Sequence, residues 1–290
     1  MTTLIGITSK NRVGILPKSI QSALDQSYKD KFIEVFDDAS TDGTEKLVEK
    51  YPDVTWHLSP ATVGYLYARN LFLNNKKAKY FVSLDDDAWF LNKDALALAI
   101  EYLESHKDVA AIAFDILSPD EGVESDYLND IKIQPVETNL FIGCGHILNR
   151  SIANSLGNFI ANPGYYGGEE KDLCIRIIDA GYKIIKLQGL YVWHDKTNLS
   201  RDIKKQHRSG VCNDLVFTLR RFPLVVLISA LPYKILSHLI FSLRYKKEKL
   251  FRVAISGILD FFTFLFSGKV LRKPVKLSTW RKFQSFNKKI

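Results

Sequence analysis

The sequence predicts an α/β fold of the nucleotide-binding type, and three observations support this prediction. Short apolar runs rich in β-branched and aromatic residues alternate with helical patterns, which is typical of βαβ units and a parallel sheet. Acidic clusters follow or border several of these runs, and side chains at successive strand ends converge on the sheet edge where such folds bind ligands. The length of 290 residues accommodates a domain of about 200 residues with an appendage.

Five strands and four helices are predicted in the first part of the chain. The strands are Thr3 to Thr8, Phe32 to Phe36, Val54 to Leu58, Tyr80 to Leu84 and Val109 to Phe114. The intervening helices are Pro17 to Gln26, Thr44 to Lys50, Val63 to Leu73 and Lys93 to Ser105. Their alternation predicts right-handed crossovers between parallel strands.

Beyond the fifth strand the pattern changes. Residues Leu117 to Glu137 carry turn residues and charges without periodicity, which predicts a long functional or mobile loop. The next apolar run, Asn139 to Leu148, contains Gly143-Cys-Gly145, and glycines within a strand allow a backbone or a ligand to approach closely. An amphipathic helix is predicted from Glu169 to Ala180, with Gly181 as its stop signal.

Cysteine usage and the N-terminal residues predict a cytoplasmic location. The three cysteines are far apart, odd in number and without the spacing of a metal site, so reduced, buried thiols are expected. The first residues lack the positively charged segment of a secretory signal and pass directly into a strand pattern.

Charge is distributed unevenly along the chain. Residues 201–290 contain 20 Lys and Arg against 4 Asp and Glu, a net charge of +16, whereas the whole chain carries +8. Residues 1–200 therefore carry −8. An acidic first part suits a cation-binding catalytic domain, and a basic second part needs an anionic partner such as lipid headgroups or nucleic acid.

The first acidic cluster, Asp37-Asp38, lies between a predicted strand and a predicted helix. These carboxylates either cap the helix or accept hydrogen bonds from the base or ribose of a nucleotide. Further along, Gly64, Ala68 and Arg69 fall on the first turns of the next helix. The small residues would let this helix approach its neighbouring strand, and Arg69 is either a solvated residue or a ligand of a sugar nucleotide.

The most specific cluster is Asp85-Asp86-Asp87, which directly follows a buried strand. Adjacent carboxylates repel one another unless a cation neutralises them. Mg²⁺ and Mn²⁺ are hard cations that bridge protein carboxylates to substrate phosphates. The alternative is that the three acids are solvated in a loop or cap the following helix.

Taken together, these residues resemble the family 2 glycosyltransferases of the GT-A type over about residues 2 to 215. The resemblance is carried by the following segments: Ser9-Lys-Asn11-Arg12, Leu24-Asp-Gln26-Ser27, Asp37-Asp38-Ala-Ser-Thr-Asp42, Gly64 with Ala68-Arg69-Asn70, Leu84-Asp-Asp-Asp87, Gly143-Cys-Gly145, Glu169-Glu170-Lys-Asp172-Leu-Cys-Ile-Arg176 and Trp193-His194. It implies a mixed, mostly parallel sheet with helices on both faces, and a glycosyl transfer that inverts the anomeric carbon.

The resemblance also implies roles for individual residues. Asp38, with Asp37, would hold the base of a UDP-, dTDP- or GDP-sugar, and Arg69 would lie near its sugar or phosphates. Asp85 and Asp87 match the Asp-x-Asp motif, and Asp87 would be the more direct ligand of Mn²⁺ or Mg²⁺. His194 would complete the metal site, and its alternative role is that of a packed strand histidine. Thr8 and Asp86 are placed beside them among the donor-binding residues.

The catalytic base implied by the resemblance falls at Glu169-Glu170. Many relatives carry Glu-Asp at this position, so the change to a second glutamate leaves the choice between Glu169 and Glu170 open. We favour Glu170, and we interpret Asp172 as a residue of the first helical turn that the helix dipole favours.

The basic second part predicts attachment to a membrane surface. A basic helix is expected from Leu199, and the apolar run from Phe222 to Leu243 is interrupted by prolines and by charged residues, so it is not predicted to span a bilayer. The later run, Val253 to Ser267, is too short to span. The flanking basic residues instead predict interfacial helices at an anionic leaflet; they are Arg244, Lys246, Lys247, Lys249, Arg252, Lys269, Arg272 and Lys273. A true span and an ordinary helical subdomain or oligomer interface are the alternatives.

The sequence thus predicts two domains, residues 1–215 for catalysis and residues 216–290 for attachment, in an enzyme peripheral to the inner face of the cell membrane. The expected acceptor is a hydroxyl of a lipid-linked saccharide or surface polysaccharide, and nucleic acid is not expected as a partner. Two other functions remain open: a sugar-nucleotide nucleotidyltransferase, for which residues 8–14 are a poor phosphate loop, and a non-catalytic sugar-binding module.

Overall fold

The structure is a computed structural model that describes residues 2–122, 132–164, 166–196, 202–244 and 250–286. Contacts divide the chain into two compact units, residues 1–159 with 180–196, and residues 160–179 with 197–290. The domain boundary predicted at residue 215 falls inside a helix of the second unit. Parts of two predictions lie outside the described residues: residues 123–131 of the long loop, and Leu199, Arg201, Lys246, Lys247 and Lys249 of the basic region.

A mixed sheet forms the centre of the first unit. Its strands are Thr3–Ser9 (β1), Lys31–Asp37 (β2), Thr55–Leu58 (β3), Tyr80–Asp85 (β4), Ala88–Phe90 (β5), Val109–Leu117 (β6), Gln134–Thr138 (β7), Gly145–Asn149 (β8) and Lys183–His194 (β9). Their order is β3-β2-β1-β4-β8-β6-β9-β5, with β7 also paired to β9. β1, β2, β3 and β4 run parallel, as does β6 with β9. β8, β5 and β7 pair antiparallel to their neighbours.

The first unit also contains the four predicted helices, with bounds that differ from the predicted ones by at most two residues. They are Leu16–Leu24 (α1), a 3₁₀ turn Thr44–Lys46 continued by Leu47–Lys50 (α2), Tyr65–Leu73 (α3) and Ala95–Ser105 (α4), and a short helix Arg150–Ser155 (α5) follows β8. Side chains of β1 alternate between the two faces of the sheet. Ile5 and Ile7 share a buried cluster with Ile20 of α1 and Leu96 of α4, whereas α3 packs at the intervening residue.

That intervening residue is Gly6, and it explains the close approach of α3. A Cβ on Gly6 would lie 2.4 Å from the Phe72 ring of α3, so only glycine fits there. The prediction that Gly64 lets this helix approach is wrong, because a Cβ on Gly64 would meet nothing within 4 Å. Helices therefore cover both faces of the sheet, as predicted. The close approach requires glycine at Gly6 of β1, while Ala68, the other small residue named for α3, is buried.

The second half of the sheet departs from the sequence prediction. Part of the expected loop forms β7, and the run from Asn139 becomes a strand only at β8. A Cβ on Gly145 would lie 2.5 Å from Ile116, so this glycine accommodates neighbouring side chains. β9 pairs with β6, β7 and β5, and its irregularity at Gly189 has φ +92°, a conformation that favours glycine.

The second unit is helical. It contains Glu169–Asp179 (α6), Ile203–Arg221 (α7), Leu224–Arg244 (α8), Leu250–Phe266 (α9) and Leu277–Phe286 (α10). Apolar residues of α7 and α9 form its buried core; these are Val211, Cys212, Leu215, Val216, Ala254 and Phe261. A Cβ on Gly257 of α9 would lie 2.6 Å from the Arg208 carbonyl oxygen of α7, which shows how closely these two helices cross.

The apolar run after Pro223 forms one continuous helix, α8, so the predicted interruption is wrong. Pro232 lies inside the helix, where a proline removes one backbone hydrogen bond without ending the helix when its neighbours are satisfied. By length and composition α8 could cross a membrane, and within the described ranges no other helix meets that criterion. The polar residues that interrupt the apolar run have a partner within the unit, since Lys234 Nζ and His238 Nε2 lie 2.8 and 3.1 Å from Asp214 Oδ2 of α7.

Apolar side chains of α8 and α9 are exposed in this unit. The most exposed on α8 are Leu224, Val225, Ile228, Tyr233, Leu236 and Leu243, and those on α9 include Leu259 and Phe266. Exposed apolar patches on soluble proteins commonly mark contact with a partner or a membrane.

Candidate functional site

The carboxyl ends of three parallel strands bring the predicted donor-binding residues together. Thr8 of β1 is paired with Asp85 of β4, and Ser9 is paired with Asp37 of β2. Because these strands are parallel and adjacent, their ends meet at one edge of the sheet. The first and second acidic clusters therefore share the edge that the sequence predicted.

Asp37 and Asp38 are both buried and organise the loops at this edge. The Asp38 carboxylate accepts hydrogen bonds from the Val63 amide at 2.6 Å and from the Gly64 amide at 3.1 Å. Gly64 directly precedes α3 and has φ +90°, which favours glycine. Asp37 accepts a short hydrogen bond from the Ser40 hydroxyl. Neither acid caps the helix that follows it; Asp42 instead accepts from the Thr44 amide at the start of that helix, at 3.1 Å.

The loops after β1 and β2 are tied to each other by Asn11. Its backbone amide donates to Ser40 Oγ at 2.8 Å, and its side-chain oxygen accepts from the Thr41 amide at 2.7 Å. Asn11 has φ +54°, a left-handed conformation that asparagine tolerates. The two loops therefore form one rigid rim beside the acidic cluster.

Within the acidic triplet, Asp85 is paired with a guanidinium group and Asp86 with a backbone amide. Asp85 Oδ1 accepts from Arg69 Nη2 at 3.0 Å, and Arg69 is 3% exposed, so its alternative role as a solvated residue is wrong. Asp86 Oδ2 accepts from the Lys10 amide at 3.1 Å. Desolvation, together with the charges of Asp87 and Asp85, raises the pKa of the Asp86 carboxyl to about 7.

Asp87 is buried and faces an imidazole and a guanidinium. Its Oδ1 lies 3.2 Å from His194 Nε2, and its Oδ2 lies 4.0 Å from Arg12 Nη2. The strand pairing explains this geometry, because Ala88 of β5 is opposite His194 of β9. The backbone reinforces it, since the Asp195 amide donates to the Asp87 carbonyl at 2.8 Å.

Cys144 joins this cluster, which the sequence did not predict. Leu84 is paired with Gly145 in antiparallel strands, so Asp85, which follows Leu84, and Cys144, which precedes Gly145, also come together. Cys144 Sγ lies 3.5 Å from His194 Nδ1. Desolvation raises the pKa of the Cys144 thiol well above its usual range. In the sequence Cys144 lies within an apolar run, so it was not predicted as a site residue. Only the flanking glycines indicated that a backbone or a ligand could approach closely at this point.

The donor atoms of the cluster fit a divalent cation. Asp85, Cys144 and His194 offer ligand atoms that all lie within 4.8 Å of one another, and Asp87 is in contact with the same histidine. Carboxylate oxygen and imidazole nitrogen together suit Mn²⁺ better than Mg²⁺, because Mg²⁺ prefers oxygen ligands alone.

The predicted base belongs to the second unit, at the N-terminal turn of α6. Glu169 is buried and Glu170 is half-buried. Asp172 is buried and receives Arg221 Nε at 2.6 Å and Arg176 Nε at 2.9 Å. These ion pairs, together with its position in the first turn of α6, explain why the Asp172 carboxylate is buried.

Asn213 of α7 holds the segment that precedes α6. Its Oδ1 accepts from the Gly164 amide at 2.8 Å, and its Nδ2 donates to the Tyr166 and Gly167 carbonyl oxygens at 3.1 and 2.8 Å. A Cβ on Gly164 would lie 2.5 Å from that Oδ1, so glycine is required there. Lys171 of α6 is anchored to Asp214 of α7 at 3.0 Å. The N-terminal turn of α6 is thus fixed by α7.

The first unit is an α/β domain with a mixed, mostly parallel sheet and an acidic cluster at the carboxyl edge of its parallel strands. The family model described as glycosyl transferase family 2 matches residues 4–160. This match covers more than half of the chain, so the chain belongs to glycosyl transferase family 2.

Relatives identified by sequence are consistent with this family. An uncharacterised glycosyltransferase of Rickettsia prowazekii (strain Madrid E) is 26% identical over 217 residues, which cover 71% of this chain and 65% of the relative. A Bacillus subtilis (strain 168) protein named for teichuronic acid biosynthesis, the glycosyltransferase TuaG, is 26% identical over 145 residues, 47% of this chain and 57% of the relative. The chain thus spans less than two thirds of the length of these relatives.

Solved structures share the GT-A fold. A mannosyltransferase from Pyrobaculum calidifontis in complex with GDP-Man and Mn²⁺ has a TM-score of 0.61 at 16% identity, covering 99% of this chain and 79% of its own. TarS 1–349 of S. aureus in complex with UDP-GlcNAc has a TM-score of 0.60 at 15% identity, covering 99% of this chain and 79% of its own. At such identities the likeness shows the fold alone, and it confirms the predicted fold class.

Proposed function

We propose that the protein is a metal-dependent, inverting glycosyltransferase that moves a sugar from a nucleoside-diphosphate sugar to a hydroxyl of a glycan. The observation that carries the proposal is the contact of Asp87 with His194, 3.2 Å apart, at the carboxyl edge of a family 2 sheet. A nucleotidyltransferase would need a phosphate-binding loop after β1, whereas residues 9–13 are tied to the β2 loop.

Asp37 and Asp38 are proposed to bind the base of the donor. A carboxylate has about four lone-pair sites, so Asp38 can hold Val63 and Gly64 and still accept an N–H from a pyrimidine or guanine. Thr8 and Arg69 lie at the same edge. The charge of Arg69 is proposed to attract the donor phosphates and to orient Asp85.

Asp87, His194 and Asp85 are proposed to hold the cation, with Asp86 supporting the turn between β4 and β5. When bound, Mn²⁺ or Mg²⁺ would offset the negative charge of the leaving nucleoside diphosphate. Arg12, 4.0 Å from Asp87, is placed to contribute positive charge at the same point. The acidic pocket would otherwise repel a diphosphate.

Glu170 is proposed as the base that removes the proton from the attacking hydroxyl, with Glu169 as the alternative. Asp172 is unsuited to that role because two arginines occupy its carboxylate. Glu170 is the more exposed of the two glutamates, which allows it to meet an acceptor. Direct displacement at the anomeric carbon then inverts its configuration.

The acceptor is proposed to be a lipid-linked saccharide or a surface polysaccharide, and the enzyme to be a cytoplasmic protein peripheral to the membrane. Support comes from the exposed apolar side chains of α8 and α9 and from the excess of basic residues after residue 200. Lys234 and His238 contact Asp214 of α7, which favours α8 lying along the surface over α8 crossing the bilayer. A basic residue near anionic lipid contributes about 1 kcal/mol.

Donor turnover tests the catalytic proposal. The protein is incubated with Mn²⁺ and a panel of UDP-, dTDP- and GDP-sugars, and release of the nucleoside diphosphate is measured. Asp87→Asn is expected to abolish metal-dependent donor binding, whereas Glu170→Gln is expected to spare donor binding and to remove transfer. Glu169→Gln is the matched control for the base. Release of pyrophosphate from a nucleoside triphosphate would refute the proposal.

Vesicle binding tests the attachment. Removal of residues 216–290 would delete Arg221, the partner of Asp172, so substitutions in the full chain are preferable. Val225→Asp with Ile228→Asp is expected to reduce sedimentation with anionic vesicles, while Leu58→Asp, an exposed apolar control in β3, is expected to leave it unchanged. Equal binding of all variants, or equal binding to neutral vesicles, would contradict an interfacial α8.

A further inference from the structure

Cys144 places a soft sulfur donor beside the proposed catalytic cation site. It is 1% exposed and directly precedes β8, where the pairing of Leu84 with Gly145 brings it next to Asp85. Its Sγ faces His194 Nδ1 at 3.5 Å, whereas the other ring nitrogen of His194 faces Asp87. His194 therefore has a sulfur side, where Nδ1 faces the Cys144 thiol, and a carboxylate side, where Nε2 faces Asp87.

The spacing on the sulfur side matches metal coordination. Zinc binds cysteine sulfur at about 2.3 Å and histidine nitrogen at about 2.0–2.1 Å, so a tetrahedral ion separates these two ligands by about 3.6 Å. The measured separation of Cys144 Sγ from His194 Nδ1 is 3.5 Å. The third ligand atom, from Asp85, lies within 4.8 Å of both. Arg69 Nη2 donates to Asp85 Oδ1 at 3.0 Å, and a carboxylate has two oxygens that can bind a cation.

We propose that Asp85, Cys144 and His194 form a second cation site, selective for thiophilic divalent ions such as Zn²⁺ and Co²⁺, that competes with the site of Asp87. Sulfur and imidazole ligands favour these ions over Mg²⁺. As the metal–sulfur bond forms, the thiol loses its proton to solvent. Mg²⁺ prefers oxygen ligands alone, so the site is expected to respond to thiophilic ions and not to Mg²⁺.

Competition follows from the chemistry of the imidazole. A neutral imidazole has one acceptor nitrogen, and the other nitrogen carries a proton. A cation on Nδ1 leaves Nε2 protonated and facing Asp87 as a donor, so His194 cannot serve both sites at once. The zinc-bound protein is expected to lose the histidine ligand of the catalytic cation, and zinc is expected to inhibit reversibly.

Cobalt absorption tests the site directly. The metal-free protein is titrated with Co²⁺, and the near-ultraviolet sulfur-to-cobalt charge-transfer band is recorded. We expect the band in the wild type and its loss in Cys144→Ser. It should persist in Cys174→Ser, which replaces another buried cysteine. Loss of one outer-shell partner already weakens metal binding about 10–100-fold, so loss of this direct ligand is expected to raise the Co²⁺ dissociation constant by at least about 100-fold.

Asp87→Asn separates this inference from the proposed function. The band is expected to survive in Asp87→Asn although Mn²⁺-dependent donor turnover is lost. The zinc inhibition rests on the proposed function, whereas the cobalt band does not. Absence of the band in the wild type, or its persistence in Cys144→Ser and in Cys144→Ala, would overturn the second site. Circular dichroism shows that each variant is folded before titration.

Discussion

The buried acid Asp172 allows a quantitative test of how α6 is held. Its carboxylate receives three hydrogen bonds from guanidinium groups, at 2.6 and 3.0 Å from Arg221 and at 2.9 Å from Arg176. The side chains of Asp172 and Arg221 are 2% and 4% exposed. Asp172→Asn removes the charge but keeps the shape, and it leaves two buried guanidinium groups without their counterion.

The expected loss is large because the charges are buried. Removing one partner of a buried ion pair costs about 3–5 kcal/mol, and we expect this loss for Asp172→Asn. The matched control is Asp260, which also pairs with an arginine through two hydrogen bonds, at 2.5 and 2.6 Å from Arg208. That pair is 38% and 52% exposed, so Asp260→Asn is expected to cost about 0–1 kcal/mol.

Urea unfolding followed by circular dichroism gives the two free-energy losses, and hydrogen exchange of α6 amides reports local opening of that helix. We expect faster exchange in α6 for Asp172→Asn and little change for Asp260→Asn. Equal losses in the two variants, or a loss below about 1 kcal/mol for Asp172→Asn, would refute the claim that burial decides the contribution of these ion pairs.

Three further predictions concern the first unit. Gly6→Ala places a Cβ 2.4 Å from an aromatic ring and is expected to cost about 1–3 kcal/mol by overpacking, measured by urea unfolding; an unchanged midpoint would contradict it. Gly64→Ala meets no neighbour, but Gly64 has φ +90° and ψ 152°, a conformation that is essentially restricted to glycine, so the variant is expected to cost about 1–3 kcal/mol and to weaken donor binding measured by calorimetry. Unaltered stability and binding would argue against a conformational role. Hydrogen bonds from Lys107 and Lys79 lower the pKa of Glu104 to about 2. This folded-state pKa is below the ordinary value of about 4.3, so the interactions of Glu104 with the two lysines stabilise the fold above about pH 4.3, and their contribution is lost as the pH falls toward 2. In Glu104→Gln the free energy of unfolding should therefore depend less steeply on pH in this window. An unchanged dependence of that free energy on pH would count against the prediction.

Strand and helix order could be predicted because local patterns decide it. β1 to β4, β6 and the first four helices follow from apolar runs and amphipathic spacing, which need no knowledge of distant residues. β7 and the continuous α8 could not be predicted in this way. β7 is stabilised by pairing with β9, and α8 is stabilised through Asp214 on α7; both partners are remote in sequence.

The candidate site shows the same division. Asp85, Asp86 and Asp87 were identifiable because three adjacent acids after a buried strand are unusual, whereas Arg12 and Cys144 were noted only as parts of motif segments and received no role in the site. Their positions depend on the β1 loop and on the β4–β8 register. The predicted roles of Asp37, Asp38, Glu169 and Glu170 remain predictions for the experiments above.

By itself, the sequence determined the class of protein: an α/β domain with acids at its strand ends, a family 2 motif order, and a basic, apolar second part. Only the tertiary structure decided which atoms face one another. His194 meets Asp87 and Cys144 because β9 pairs with β5 and β8 pairs with β4, and Asp172 meets Arg221 across 49 residues. The type of side chain at each position is given by the sequence itself. Contacts among carboxylates, imidazole, guanidinium and thiol groups form only when strands and helices bring residues that are distant in sequence within a few ångströms.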